Sequence, residues 1–175
     1  MPLSNATQQD WDVVSAQLGR PARDIAAIAA RCVCGNPTVV QTSPRLAHGE
    51  PFPTVYYLTH PGATAALSAL EASGVMAELQ DRLAVDESLA SAYLSAHESY
   101  IADRDRVAED LKLEPVAEIE GISAGGMPTR VKCLHALAGH SLAAGPGVNP
   151  IGDIALEMCS WSPDRCECKP EWKVN

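Results

Sequence analysis

Thiols and imidazoles are the residues of this chain best suited to do chemistry. Cys32-Val33-Cys34-Gly35 forms one tight pair, Cys166-Glu167-Cys168 forms another, and Cys133 sits in Lys132-Cys133-Leu134-His135 with His140 a little further on. Thiolate and imidazole are the ligands of Zn²⁺ and of iron–sulfur centres. The spacings match neither common ferredoxin pattern, so zinc is the expected ion and iron–sulfur the lesser alternative. If residues 129–143 are helical, about 100° per residue places Val131, Leu134, Ala138 and Leu142 on one face. Cys133 and His140 then share the opposite face. The expected ligand set is Cys32, Cys34, Cys133 and His140. His135 is a packed neighbour of that set or replaces His140 in it. Cys166 and Cys168 replace Cys34, extend the cluster or stand apart. The residues do not decide between these, nor do they give Cys159 a role.

A second constellation is basic. Arg31, Arg45, Arg130 and Lys132 each lie beside Gly- or Pro-rich segments where backbone can approach a ligand. The last two fall near the start of the expected helix, where free N–H groups favour anions. Their convergence would suit a small anion, phosphate or carboxylate. The competing reading is ordinary ion pairing with the 22 acidic residues. Gly125-Gly126-Met127-Pro128-Thr129-Arg130 is not a Walker loop, no Gly-x-Ser-x-Gly elbow is present, and His97-Glu98 lacks the second histidine of a zincin. Asp153 is a candidate base, though helix capping explains it more simply.

The elements that must position these groups follow from periodicity and punctuation. Thr7-Gln8-Gln9-Asp10 reads as a capping box opening a helix over 7–18, closed by Gly19 and Pro21. Strands are expected over 24–32, 38–42 and 54–59, with turn residues between them. Ala26 to Ala30 is the weak point of that reading, because alanine favours helix. Helical stripes begin at Pro61. Leu67 and Leu70 form one, Val75, Leu79 and Leu83 the next, and Leu89, Tyr93, Ala96 and Tyr100 a long one capped by Asp86. Asn149-Pro150 opens a short helix over 151–158. The fold class is α+β, a small three-stranded antiparallel meander packed with several α-helices.

A chain of 175 residues is most simply one domain, here 1–158, followed by a Cys-containing C-terminal tail, 159–175. The net charge of −9 argues against nucleic acid or an anionic membrane as partner. The start of the chain has no signal-peptide pattern and no apolar run is long enough to span a membrane. A cytoplasmic location is therefore expected, with the cysteines as thiols or metal ligands and not as disulfides.

Three segments carry a family resemblance. They are Arg31-Cys32-Val33-Cys34-Gly35-Asn36-Pro37 through Leu46, Gly49-Glu50-Pro51-Phe52-Pro53-Thr54-Val55-Tyr56-Tyr57-Leu58-Thr59, and Gly125-Gly126-Met127-Pro128-Thr129-Arg130-Val131-Lys132-Cys133-Leu134-His135 through Asp153. Together they resemble an actinobacterial domain-of-unknown-function family, number five hundred and one. The resemblance covers roughly residues 17–157. It implies a bacterial cytosolic protein, sometimes encoded near cell-division and polyphosphate genes, and supplies no activity, fold or cofactor.

Three functional readings follow. The first is a cytosolic protein with a structural zinc site. The second is a metal-assisted enzyme acting on a small anionic substrate, with Arg45 and Arg130 as clamps. The third is an interaction module of the division or polyphosphate machinery, which rests on genomic context alone. A closed set of four protein ligands favours the first, and three ligands plus water favour the second.

Overall fold

A computed structural model describes residues 3–169 and 172. The capping box forms as expected. Thr7 N donates to Asp10 Oδ2 at 2.9 Å and Asp10 N donates to Thr7 Oγ1 at 3.2 Å, which opens α1, Gln8–Leu18. The next three elements are strands: β1, Ile25–Arg31; β2, Pro37–Thr42; and β3, Tyr56–Leu58. They pair antiparallel in the order β1-β2-β3. Burial decides the alanine-rich β1 against its helical propensity. Ala29 and Ala30 face the main core with Val39 and Leu58, whereas Ile28 and Val40 face Val14 of α1. The sheet is thus covered on both sides, and every residue of the central β2 is buried.

Five further α-helices follow among the described residues. They are α2, Pro61–Ala72; α3, Val75–Val85; α4, Glu87–Asp110; α5, Leu134–Ala144; and α6, Pro150–Met158. Asp86 caps α4, with its Oδ1 2.9 Å from Leu89 N, and Asn149 caps α6, with its Oδ1 2.9 Å from Gly152 N. The stripe Leu89, Tyr93, Ala96, Tyr100 and Val107 buries the inner face of α4. No described helix is long and apolar enough to cross a membrane.

The expected helix over 129–143 starts later. Residues 125–132 are held as a loop by their own backbone: Arg130 N donates to Gly126 O and Lys132 N to Gly125 O, both at 2.8 Å. Gln80 of α3 fastens the same loop, accepting from Val131 N at 3.0 Å and donating to Thr129 O at 3.1 Å. Cys133 is therefore the N-cap of α5 and not a residue on its surface. Nor does α5 have a free face opposite an apolar stripe, because Leu137, Ala138, Gly139, His140 and Ser141 are all buried.

Small residues make this burial possible. A Cβ on Gly139 would stand 3.3 Å from Tyr56 O of β3, and one on Gly152 would stand 2.2 Å from Leu137 O. The second contact is backbone against backbone, so α5 and α6 can accept a side chain there only by moving apart. Gly152→Ala should destabilise the fold by about 1–3 kcal/mol or more. Urea unfolding of the variant checks this, and an unchanged midpoint would show that the helices do not pack through this glycine.

Candidate metal centre

The β1–β2 connection is a tight turn in which Gly35 N donates to Cys32 O and Cys32 N donates to Asn36 O, both at 2.8 Å. Gly35 holds a φ of 91°, a left-handed conformation that suits glycine. The turn leaves Val33 exposed and directs Cys32 inward, where it is buried. The C-terminal tail crosses this turn. Cys32, Cys34, Cys166 and Cys168 form one group whose sulfurs all lie within 4.8 Å of one another. All six cysteines are free thiols.

Burial and neighbours divide these thiols. Burial pushes the Cys32 thiol up. It also raises Cys168, and the adjacent Cys34 and Cys32 add to that effect. Burial acts on Cys34 in the same sense but is outweighed by hydrogen bonds from the Asn36 backbone and the neighbouring thiols, so Cys34 is lowered.

The surroundings supply donors aimed at sulfur. His60 caps α2 by accepting from Ala63 N at its Nδ1, 3.3 Å away. Its proton is therefore on Nε2, which lies 3.3 Å from Cys168 Sγ and donates to it. The His60 ring also packs against Trp161, with centroids 5.4 Å apart. Trp161 is 2% exposed and anchors the tail to the core at the root of the Cys166–Cys168 pair. The Asn36 carboxamide beside Cys168 is buried, and neither its nitrogen nor its oxygen has a hydrogen-bond partner among the described residues. Buried amides of this kind are normally satisfied, and a thiolate at Cys168 is an acceptor for the amide Nδ2, though not for its oxygen.

Cys133 lies in a different group, with Glu71 of α2 and His135 of α5. The His135 side chain holds the Cys133 thiol below its ordinary value against the opposing effect of burial. The same contact raises His135 to about 9, again against burial, with the Glu71 charge helping. Thus the four residues expected to share an ion do not form one group among the described residues. Cys32 and Cys34 meet the tail, Cys133 meets Glu71 and His135, and His140 is enclosed in the core.

The ring of His140 stacks on Tyr56 at 5.8 Å and meets Tyr100 edge-on at 5.0 Å. Asn149 spends its Oδ1 on the α6 cap, so its Nδ2 faces His140 Nδ1 at 3.2 Å and donates to it. The neutral ring then carries its proton on Nε2, which is buried without a partner. Among the basic residues, Arg31 pairs with Asp10 at 2.6 Å and Arg45 with Glu118 at 2.7 Å. Arg130 and Lys132 are exposed on the loop before α5. Asp153 accepts from Gly147 N at 2.7 Å and from the Ser141 hydroxyl, which ties the α5–α6 turn together.

A family model described as "Protein of unknown function (DUF501)" matches residues 28–157. The chain belongs to the DUF501 family. No curated protein and no solved structure matches it. The DUF501 match includes Cys32, Cys34, Glu71, Cys133, His135 and His140, and it ends before Cys166 and Cys168. Half of the four-sulfur group therefore lies outside the DUF501 segment. In the sequence, only the repeated Cys-x-Cys spacing and the lone tryptophan of the proximal tail signal that the tail belongs to the site.

His140 also sets a pH dependence. Burial lowers it from 6.5 to about 4, with Asp103 and Asp153 opposing. A histidine that must stay neutral in the fold costs stability wherever the unfolded chain would protonate it. The loss begins as pH falls through 6.5 and is complete near 4. Between pH 7 and pH 5 it should reach about 2 kcal/mol. Urea unfolding should show this drop in the wild type and a smaller one in His140→Gln, whereas equal pH dependence in both would exclude the mechanism.

Proposed function

We propose that this is a zinc protein in which Cys32, Cys34, Cys166 and Cys168 hold one structural ion that fastens the C-terminal tail to the β1–β2 turn. The convergence of four sulfurs from two distant Cys-x-Cys pairs carries the reading. Four Zn–S bonds of about 2.3 Å place sulfurs roughly 3.8 Å apart around a tetrahedron, which the group needs only a small contraction to reach. A disulfide within either Cys-x-Cys pair would be strained, since the intervening single residue holds the half-cystines in poor geometry. Four thiolates complete the coordination shell of zinc, leaving no place for substrate. The ion's role is then to close a loop that runs from β2 through α6, a closure whose entropy the polypeptide otherwise bears. The His60 and Asn36 donors would spread the excess negative charge of a dication bound to four thiolates.

Elemental analysis of the full-length protein tests this. Cys32→Ser and Cys168→Ser should each lose about one equivalent of zinc. Cys159→Ser should lose none, because that thiol turns to the Leu156 and Trp161 carbonyls. Chelation should expose residues 159–169 to limited proteolysis. A strong visible colour would make the ion iron, and undiminished zinc in Cys32→Ser and Cys168→Ser would refute the site.

A further inference from the structure

We propose that Glu71, Cys133 and His135 form a second metal site, one with an open coordination position, for a borderline divalent cation of the zinc class. It stands independently of the four-cysteine reading. The three ligand atoms all lie within 4.8 Å of one another. His135 Nδ1 is 3.2 Å from Glu71 Oε1. Bonds of about 2.0–2.1 Å to nitrogen and oxygen give a tetrahedral edge of about 3.3 Å, so these two atoms already stand at the separation a shared ion would require.

The far side of the ring points the same way. His135 Nε2 lies 3.1 Å from Thr64 O, and a carbonyl can only accept. Nε2 therefore carries the hydrogen, and the Ser68 hydroxyl 3.1 Å away completes its surroundings. A cation that displaces the Nδ1 proton then meets the Nδ1 lone pair on the side of the ring that faces Glu71. A histidine fixed by a backbone carbonyl on one nitrogen and free to ligate through the other is the arrangement that orients metal-bound imidazole. Glu71 is fixed as well, since its Oε1 accepts from Leu134 N at 2.6 Å. An ion pair plus a helix cap would account for Glu71 and His135, and the thiol that completes the group faces the His135 side chain and the start of α5. A shared ion accounts for all three donors at once.

This group differs from the four-sulfur group in ligand number and access. It offers three protein ligands of mixed type, and the side chains of His135 and Glu71 are 24% and 23% exposed. Three protein ligands and access to solvent leave the fourth place to water or another small oxygen donor.

Cobalt titration of the full-length, metal-free protein, followed by visible absorption and metal analysis, tests the site. Wild type should take up about two equivalents, one with the intense charge-transfer bands of four thiolates and one with weaker, mixed-ligand bands. Cys133→Ala should retain only the four-thiolate spectrum. The conservative Glu71→Gln, with unchanged circular dichroism, should weaken the mixed-ligand equivalent at least about 10-fold. If Cys168→Ser keeps the equivalent that Cys133→Ala loses, this site stands whatever becomes of the other. A wild type that saturates at one equivalent untouched by Cys133→Ala would overturn the proposal. So would equal affinity in wild type and Glu71→Gln, which would leave the group a thiolate–imidazolium pair.

Discussion

The β1–β2 turn and the C-terminal tail meet at sulfur, where Cys32, Cys34, Cys166 and Cys168 form one group. The β1–β2 turn needs its Cys32–Gly35 and Cys32–Asn36 hydrogen bonds to hold Cys32 inward, yet those bonds only shape the turn. What brings the tail across it is Trp161 at one end of the polar segment and the Cys166–Cys168 pair at the other. A short polar stretch of chain buries too little apolar surface to offset the entropy of ordering it. One indole and two thiols are a small anchor by that measure, and the proposed ion shared with the turn would supply the missing free energy. His60 ties the tail to the core as well. It caps α2, packs on Trp161 and donates to Cys168, so helix start, tail and sulfur group share a single ring.

The second constraint is the burial of α5 on all sides. A helix packed this way must be small where it crosses other backbone, hence Gly139 against β3 and Gly152 of α6 against Leu137. It must also satisfy or neutralise what polar groups it carries. His140 meets this by staying neutral between Tyr56, Tyr100 and Asn149, and Ser141 by pairing with Asp153. Because the interior of α5 is occupied by packing, its accessible ligand-type side chains lie at its N-terminal end. There the loop over 125–132 delivers Cys133 beside Glu71 and His135.

Local rules were legible in the sequence wherever one residue type has one physical use. The Thr7–Asp10 capping box, the Asp86 and Asn149 caps, the α4 stripe and the three-strand meander all follow from patterns a few residues long. The ligand groups did not, because each joins residues whose proximity is set by tertiary packing. Helical phase alone placed Cys133 with His140. That phase assumed a helix beginning near residue 129, and the assumption failed on hydrogen bonds from Gln80, a residue far off in sequence. The thiol pairs themselves were readable as candidate metal ligands, whereas their choice of partner was not. Arg31 and Arg45 show the same limit: each is neutralised by an acid, Asp10 or Glu118, that no spacing rule could have named.

If one ion joins the first and last cysteine pairs, scalar coupling through the metal observes that link directly. With ¹¹³Cd in place of zinc, proton–cadmium correlation spectra should connect a single cadmium resonance to the β-protons of Cys32, Cys34, Cys166 and Cys168. A cadmium resonance coupled to Cys32 and Cys34 but to neither tail cysteine, or no cadmium coupled to any of the four, would contradict the account.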